Sequence, residues 1–190
     1  LYTKYENEFP HLQKIKARDL MSKIIEAQIE TGQPYMLYKD SINEKSNQKN
    51  IGVIKSSNLC AEIVEYSEKD QTAVCNLASI ALPKFVNKKD NTYNYKQLYE
   101  VAKLATKNLD QVIDINFYPT NKTEKSNNLH RPIGLGIQGL ADVFFKLNIP
   151  FDSEKAFEIN KKIFESIYYG AIESSVELAK EKGVYSSYEG

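Results

Sequence analysis

Asn58-Leu59-Cys60-Ala61-Glu62-Ile63 sets an amide, a thiol and a carboxylate at alternate positions, and a second cysteine, Cys75, follows downstream. In an extended segment successive side chains point to opposite faces. Asn58, Cys60 and Glu62 are then expected to share one face, about 7 Å from neighbour to neighbour. Leu59, Ala61 and Ile63 are expected to anchor the other. Asn and Glu are poor strand formers, so local preference does not put them there. Conflicts of this kind concentrate at functional sites. The plainer reading is a half-buried edge strand, polar face out, with an ordinary buried cysteine. The six residues alone leave both readings open.

Bulk properties narrow the classes. Lys+Arg and Asp+Glu balance at 25 each in 190 residues, so no polyelectrolyte argument for nucleic acid or an anionic membrane applies. Arg18 and Arg131 are the only arginines, which leaves few bidentate phosphate clamps. No apolar run is long enough to span a bilayer, and the charged N-terminal segment does not read as a signal peptide. Two cysteines without such a signal fit a reducing, cytoplasmic setting, where a structural Cys60–Cys75 disulfide is not expected. Nor is a zinc site, because His11 and His130 stand alone and no Cys-x-x-Cys occurs. The length suffices for one domain with a sizeable core.

Outward from the central stretch, the periodicity predicts a helix over about 17–31, with Leu20, Met21, Ile24, Ile25, Ala27 and Ile29 on one stripe and Gly32 closing it. Tyr35-Met36-Leu37-Tyr38 reads as a short strand, and Ser41 to Asn50 as a polar loop. Glu65 to Gln71 is charged and reads as a turn, with Thr72-Ala73-Val74-Cys75 returning as a strand and Leu77 to Val86 buried. Asn94 with Gln97 resembles a capping box and opens a helix to about Ile113, with Leu98, Val101, Ala102, Ala105, Leu109 and Val112 on its buried side. Lys122 to Asn128 reads as a second polar loop.

Gly134-Leu135-Gly136-Ile137-Gln138-Gly139 fits G-x-G-x-x-G, but a polar loop and Arg131-Pro132 come before it rather than a strand. A dinucleotide site is therefore not expected, and the glycines are read as allowing close backbone packing. Leu140 to Leu147 reads as a helix ended before Pro150. Ser153 is expected to cap a helix of about thirty residues, roughly 45 Å long, closed by Gly183. Tyr168-Tyr169, beside Phe164 and Ile167, is read as core and helix packing rather than as a radical path.

The longer strings carry a resemblance. Ser56-Ser57-Asn58-Leu59-Cys60-Ala61-Glu62-Ile63 through Ala73-Val74-Cys75-Asn76-Leu77-Ala78-Ser79 resembles the active-site loop of the class I ribonucleotide reductase large subunit. Thr31 to Asp40, Lys45-Ser46-Asn47-Gln48, His130 to Asp142 and Ile163 to Ala171 resemble the same family. The likeness spans nearly the whole chain in order. Since that subunit is several times longer, the resemblance implies that residues 1–190 are one partial domain, the central portion of the catalytic barrel.

The implied fold is α/β, part of a ten-stranded α/β barrel with a central finger loop carrying the radical cysteine. The implied reaction is reduction of ribonucleoside diphosphates to 2′-deoxyribonucleoside diphosphates, which are DNA precursors. Cys60 would be the transient thiyl radical and Glu62 the proton acceptor. Asn58 would be the positioning amide, and Cys75 one half of the reducing dithiol. Asn58, Leu59 and Glu62 would contact substrate. No metal or cofactor is expected on this chain. The family draws its radical from the metal/tyrosyl centre of a small subunit, its regulation from ATP and deoxynucleotide effectors bound outside this stretch, and its reducing power from thioredoxin or glutaredoxin. The remaining parts of the large subunit and a second large subunit complete the implied partners, with no nucleic acid and no membrane. The alternatives are a non-catalytic nucleotide-binding or subunit-interaction piece of the same family, and the related anaerobic or cobalamin-dependent reductases.

Overall fold

The computed structural model describes residues 2–189. Three helices come first, α1 (Tyr2–Glu8), α2 (Ala17–Thr31) and α3 (Lys39–Lys45). The expected α2 forms with its predicted bounds, and Gly32 closes it at φ 76°, a left-handed conformation that glycine adopts without a Cβ penalty. None of its residues is buried: Leu20, Met21, Ile25 and Ile29 all face outward. Residues 35–38 form no strand, because no neighbouring strand pairs with them, and the loop expected from Ser41 gives way to α3.

The ordered core begins further on. Strand β1 (Leu77–Ala81) runs into a 3₁₀ turn (Leu82–Phe85), a short antiparallel pair β2 (Val86–Asn87) and β3 (Thr92–Tyr93), and helix α4 (Tyr95–Ile115). Asn94 caps α4 by accepting from the Gln97 amide, as its spacing predicts. Helix α5 (Asn121–His130) occupies the stretch read as a polar loop. Strand β4 (Gly134–Gln138) then pairs in parallel with β1, Leu77 opposite Gly134 and Ala81 opposite Gln138. Helices α6 (Leu140–Leu147) and α7 (Glu154–Lys182) complete the chain, α7 capped by Ser153 and closed by Gly183. Parallel strands joined through helices are an α/β arrangement.

The core lies between the β1–β4 pair and helices α4, α6 and α7, where Leu82, Leu98, Ala102, Val143 and Ile163 are wholly buried. Helix α7 lies against α4 at Gly170, where a Cβ would come within 2.7 Å of the Tyr99 carbonyl oxygen. On α4, Ile113 takes an inward position and Val112 faces out, correcting the expected stripe by one residue. The glycine motif is strand β4 itself, with Gly139 (φ 81°) turning into α6; Gly134 packs closely on Leu77 and Gly139 on Pro83, whereas Gly136 has room for a Cβ. Tyr168 and Tyr169 are exposed rather than in the core. Tyr169 stacks on Tyr99 of α4 with ring centroids 5.7 Å apart. No helix among the described residues is long and apolar enough to cross a membrane.

Candidate active site

The segment before the central stretch is held by side-chain amides. Asn43 on α3 accepts from the Ile54 amide at 2.7 Å and donates to its carbonyl at 2.9 Å, clamping a residue that is itself buried. Gln48 Oε1 accepts from the Tyr66 amide at 2.7 Å. Between these anchors residues 58–63 do not run extended. The Asn58 carbonyl accepts from the Ala61 amide at 3.2 Å and Asn58 Oδ1 accepts from the Ile63 amide at 3.1 Å, closing a tight turn. The Ser57 hydroxyl adds a bond to the Ile63 carbonyl.

This turn corrects the alternating strand. Leu59 is 92% exposed instead of anchoring an inner face, because an asparagine side chain that satisfies a later backbone amide competes with strand pairing. Ala61 sits at φ 63°, a left-handed conformation costing a non-glycine residue roughly 1–2 kcal/mol. Such strain clusters at functional sites. The turn brings Asn58 and Glu62 into contact across Cys60: Asn58 Nδ2 donates to Glu62 Oε1 at 2.6 Å. Amide and carboxylate thus act as a unit beside an exposed thiol.

The return limb forms a turn closed by Glu68 and Gln71, whose backbones exchange bonds of 2.8 and 3.2 Å. Thr72 to Cys75 is not a strand. Its backbone is bonded to α5 instead, the Thr72 amide donating to the Lys122 carbonyl at 3.2 Å. Cys75 is free and exposed. Partial desolvation of the sulfur by its neighbours pushes the thiol above the usual range, and the negative charges of Glu65 and Glu62 push it further. The limb that carries Glu62 therefore acts electrostatically on Cys75. Burial alone raises Glu65 to about 7, which leaves its carboxyl poised near neutral pH.

Helix α5 is the mount for this return limb. Thr120 and Thr123 form its capping box. It buries Ser126, Asn127 and His130, a helical period written in polar residues, which an apolar pattern does not reveal. One His130 ring nitrogen lies 2.6 Å from Gln71 Oε1 and the other 2.8 Å from Ser187 Oγ, and burial lowers its basicity. Asn76 and Asn127 exchange a reciprocal pair of side-chain bonds at 3.0 and 3.2 Å. Asn76 also donates to the Pro132 carbonyl at 2.9 Å, and Asn127 donates to Tyr118 Oη at 2.8 Å.

Arg131 (φ 44°) ends α5 and binds Asp110 Oδ1, the Asp110 carbonyl and Asp114 Oδ1, each at 2.7 Å. Lys182 reaches Asp110 Oδ2 at 2.9 Å. This network ties α4, α5 and α7 together immediately before β4. It also borders a cavity of about 880 Å³ with Thr106, Tyr168, Ser175 and Tyr185. None of Asn58, Cys60, Glu62 or Cys75 lines that cavity. Sequence reading missed Glu65, Gln71, Asn76, Asn127 and His130. Asn76, a polar residue at the head of an apolar run, was the available signal for a buried hydrogen-bonded pair.

The geometry can be set beside known proteins. The family model described as "Ribonucleotide reductase, barrel domain" matches residues 1–190. The chain is 57% identical to the ribonucleoside-diphosphate reductase large subunit of Plasmodium falciparum and 54% identical to the large chain of Schizosaccharomyces pombe. In both, all of this chain aligns, to 24% and 23% of the relative. The chain thus spans about a quarter of the length of the curated relatives it matches. The solved structure of the Actinobacillus ureae class Id ribonucleotide reductase alpha subunit superposes with a TM-score of 0.77 at 30% identity, over 90% of this chain and 33% of that one. An α/β chain with this match belongs to the ribonucleotide reductase barrel-domain family.

Proposed function

We propose that the chain supplies the radical-bearing part of a large subunit that reduces ribonucleoside diphosphates to 2′-deoxyribonucleoside diphosphates. The observation that carries this reading is the Asn58–Glu62 bond made across Cys60. The names of the relatives support the reaction. Cys60 becomes a thiyl radical by losing one electron and one proton to a radical-generating small subunit, and removes the ribose 3′ hydrogen. Glu62 takes the proton of the 3′ hydroxyl, which helps expel the 2′ hydroxyl as water. Asn58 holds the carboxylate and the sugar hydroxyls in register. Leu59, projecting into solvent, offers an apolar cover to the sugar.

Cys75 and a second thiol outside this chain then give up two electrons and two protons. Two S–H bonds break and one S–S bond forms, while the 2′ C–O bond is replaced by C–H. Cys60 returns the 3′ hydrogen, and a thioredoxin- or glutaredoxin-type dithiol restores the pair. Residues 1–190 form the central portion of a ten-stranded barrel, with the 58–75 stretch as its finger loop, working in the cytoplasm with a second large subunit. The chain holds no cofactor of its own, and nucleotide effectors bind elsewhere.

The test is Cys60→Ser in the full-length large subunit, assayed with small subunit and dithiol reductant. A hydroxyl matches the thiol in shape, but its O–H bond is too strong for radical exchange. Deoxynucleotide formation is expected to vanish while nucleotide affinity stays close to the parent's. Measurable product from the serine variant overturns the assignment.

A further inference from the structure

We infer that Asn127 is a positioning residue for the redox cysteine, acting through Asn76; the inference rests on the reading of Cys75 as half of the reducing dithiol. Cys75 is exposed and makes no side-chain hydrogen bond among the described residues, so its place is set by the backbone on either side. On one side, Thr72 is bonded to Lys122 of α5. On the other, Asn76 is 4% exposed and Asn127 is fully buried.

Their amides face each other with donor to acceptor in both directions, 51 residues apart in sequence. Asn76 uses its second N–H on Pro132 and its backbone carbonyl on the Gly134 amide at 2.9 Å. Asn127 uses its second N–H on Tyr118 Oη, which itself donates to the Ile113 carbonyl at 2.7 Å. The pair is thus anchored to the end of α4, to α5 and to the start of β4 at once. Asn76 is the next residue along the chain, buried where Cys75 is exposed, so fixing Asn76 fixes the backbone from which the Cys75 thiol projects.

A disulfide forms only when both sulfurs meet at bonding distance with a restricted dihedral angle. Two thiols lose two electrons and two protons to the substrate radical in that step, and the S–S bond replaces two S–H bonds. A cysteine free to wander meets its partner in fewer encounters. A purely structural amide pair affects how much enzyme is folded. A positioning pair affects how fast each folded molecule closes its disulfide.

The experiment uses the full-length large subunit, prereduced, with small subunit, CDP and no external reductant. It reads the rate of Cys75 disulfide formation by peptide mass spectrometry, the reduction potential of that disulfide in a dithiol buffer, and the affinity for CDP. Asn127→Leu keeps the side-chain size and removes both arms of the pair. Disulfide closure per folded molecule is expected to slow about ten- to a hundredfold, the scale of small misplacements, with CDP affinity unchanged and the potential shifted. Asn127→Asp keeps the acceptor facing Asn76 Nδ2 and loses the donor arm, and is expected to fall between parent and Leu variant. Parent-like closure and potential in the folded Leu variant overturn the inference, as do parent-like values in the Asp variant if the Leu variant does not fold. Cys75→Ser serves as the separate control. If it turns over normally, the reading of Cys75 fails; if it is dead while the Asn127 variants close at the parent rate, only the positioning role fails.

Discussion

Asn58 Nδ2 donates to Glu62 Oε1 at 2.6 Å, with Cys60 on the turn between them. The bond holds the carboxylate in one orientation. Glu62→Gln in the full-length enzyme keeps the hydrogen-bonding capacity but cannot take a proton. The chemical step is expected to slow by roughly 10²–10⁴-fold, the usual cost of losing a general base, with nucleotide affinity nearly unchanged. Rapid-quench measurement of deoxynucleotide formation checks this; a rate within a few-fold of the parent removes Glu62 from the role.

The amide, thiol and carboxylate that single out 58–63 are legible in the sequence, but their arrangement is not. The alternation over 58–63 puts Asn58 and Glu62 on one side, and the structure brings them together by a different route, a turn with Ala61 at φ 63°. Nothing in the residue types distinguishes those routes, since the side-chain bond from Asn58 to the Ile63 amide decides it. Helices α2, α4, α6 and α7 announce themselves by apolar period and caps. Helix α5 does not, because its buried positions are Ser126, Asn127 and His130. A mount built from polar side chains looks like a loop until its partners, Asn76 and Gln71, are placed beside it.

Arg131 reaches two aspartates at once, and its side chain and that of Asp110 are only 22% and 14% exposed. Arg131→Lys keeps the charge but loses the planar fork. The variant is expected to be less stable by about 1–2 kcal/mol, the range for a lost hydrogen bond to a charged group. For Asp110, burial raises the carboxyl pKa, but the bonds from Arg131 and Lys182 outweigh it and hold the net value below the usual range. A depressed carboxylate contributes stability above its unfolded value and loses it as pH falls through the folded one. The gap between parent and variant is therefore expected near neutral pH and to shrink in acid, as Asp110 takes up its proton. Denaturant titrations near neutral pH and in acid check it; a gap that widens in acid contradicts the ion-pair account.

Glu65 is raised to about 7 by burial, and its charge raises the Cys75 thiol. Glu65→Gln is expected to speed alkylation of Cys75 by about two- to fivefold near pH 8, because removing a nearby negative charge increases the thiolate fraction. Near pH 6 Glu65 is mostly protonated, and the two proteins should react alike. The same linkage acts on stability: a raised carboxyl stabilises below its unfolded value and loses that contribution as pH rises through about 7. Iodoacetamide kinetics followed by peptide mapping decide the point, and an equal acceleration at both pH values would exclude Glu65 as the cause.

Residues 1–190 alone are expected to associate and to make no deoxynucleotide. Among the described residues strands β1 and β4 pair only with each other, which leaves both outer edges open, and open edges are templates for pairing with another chain. Leu77 on β1 is half exposed, and Phe157, Phe164, Tyr168, Ile172 and Val176 form an uncovered stripe along α7. A contiguous apolar face of this kind promotes association unless something covers it. Turnover fails for a separate reason: Cys60 and Cys75 are the only cysteines, so if Cys60 carries the radical, Cys75 has no partner in this chain. Sedimentation of the isolated chain over a range of concentrations, with an assay in the presence of small subunit and reductant, tests both halves. Concentration-dependent association without product is the expected result. A monomer that turns over would show that residues 1–190 suffice and that Cys75 needs no second thiol from outside them.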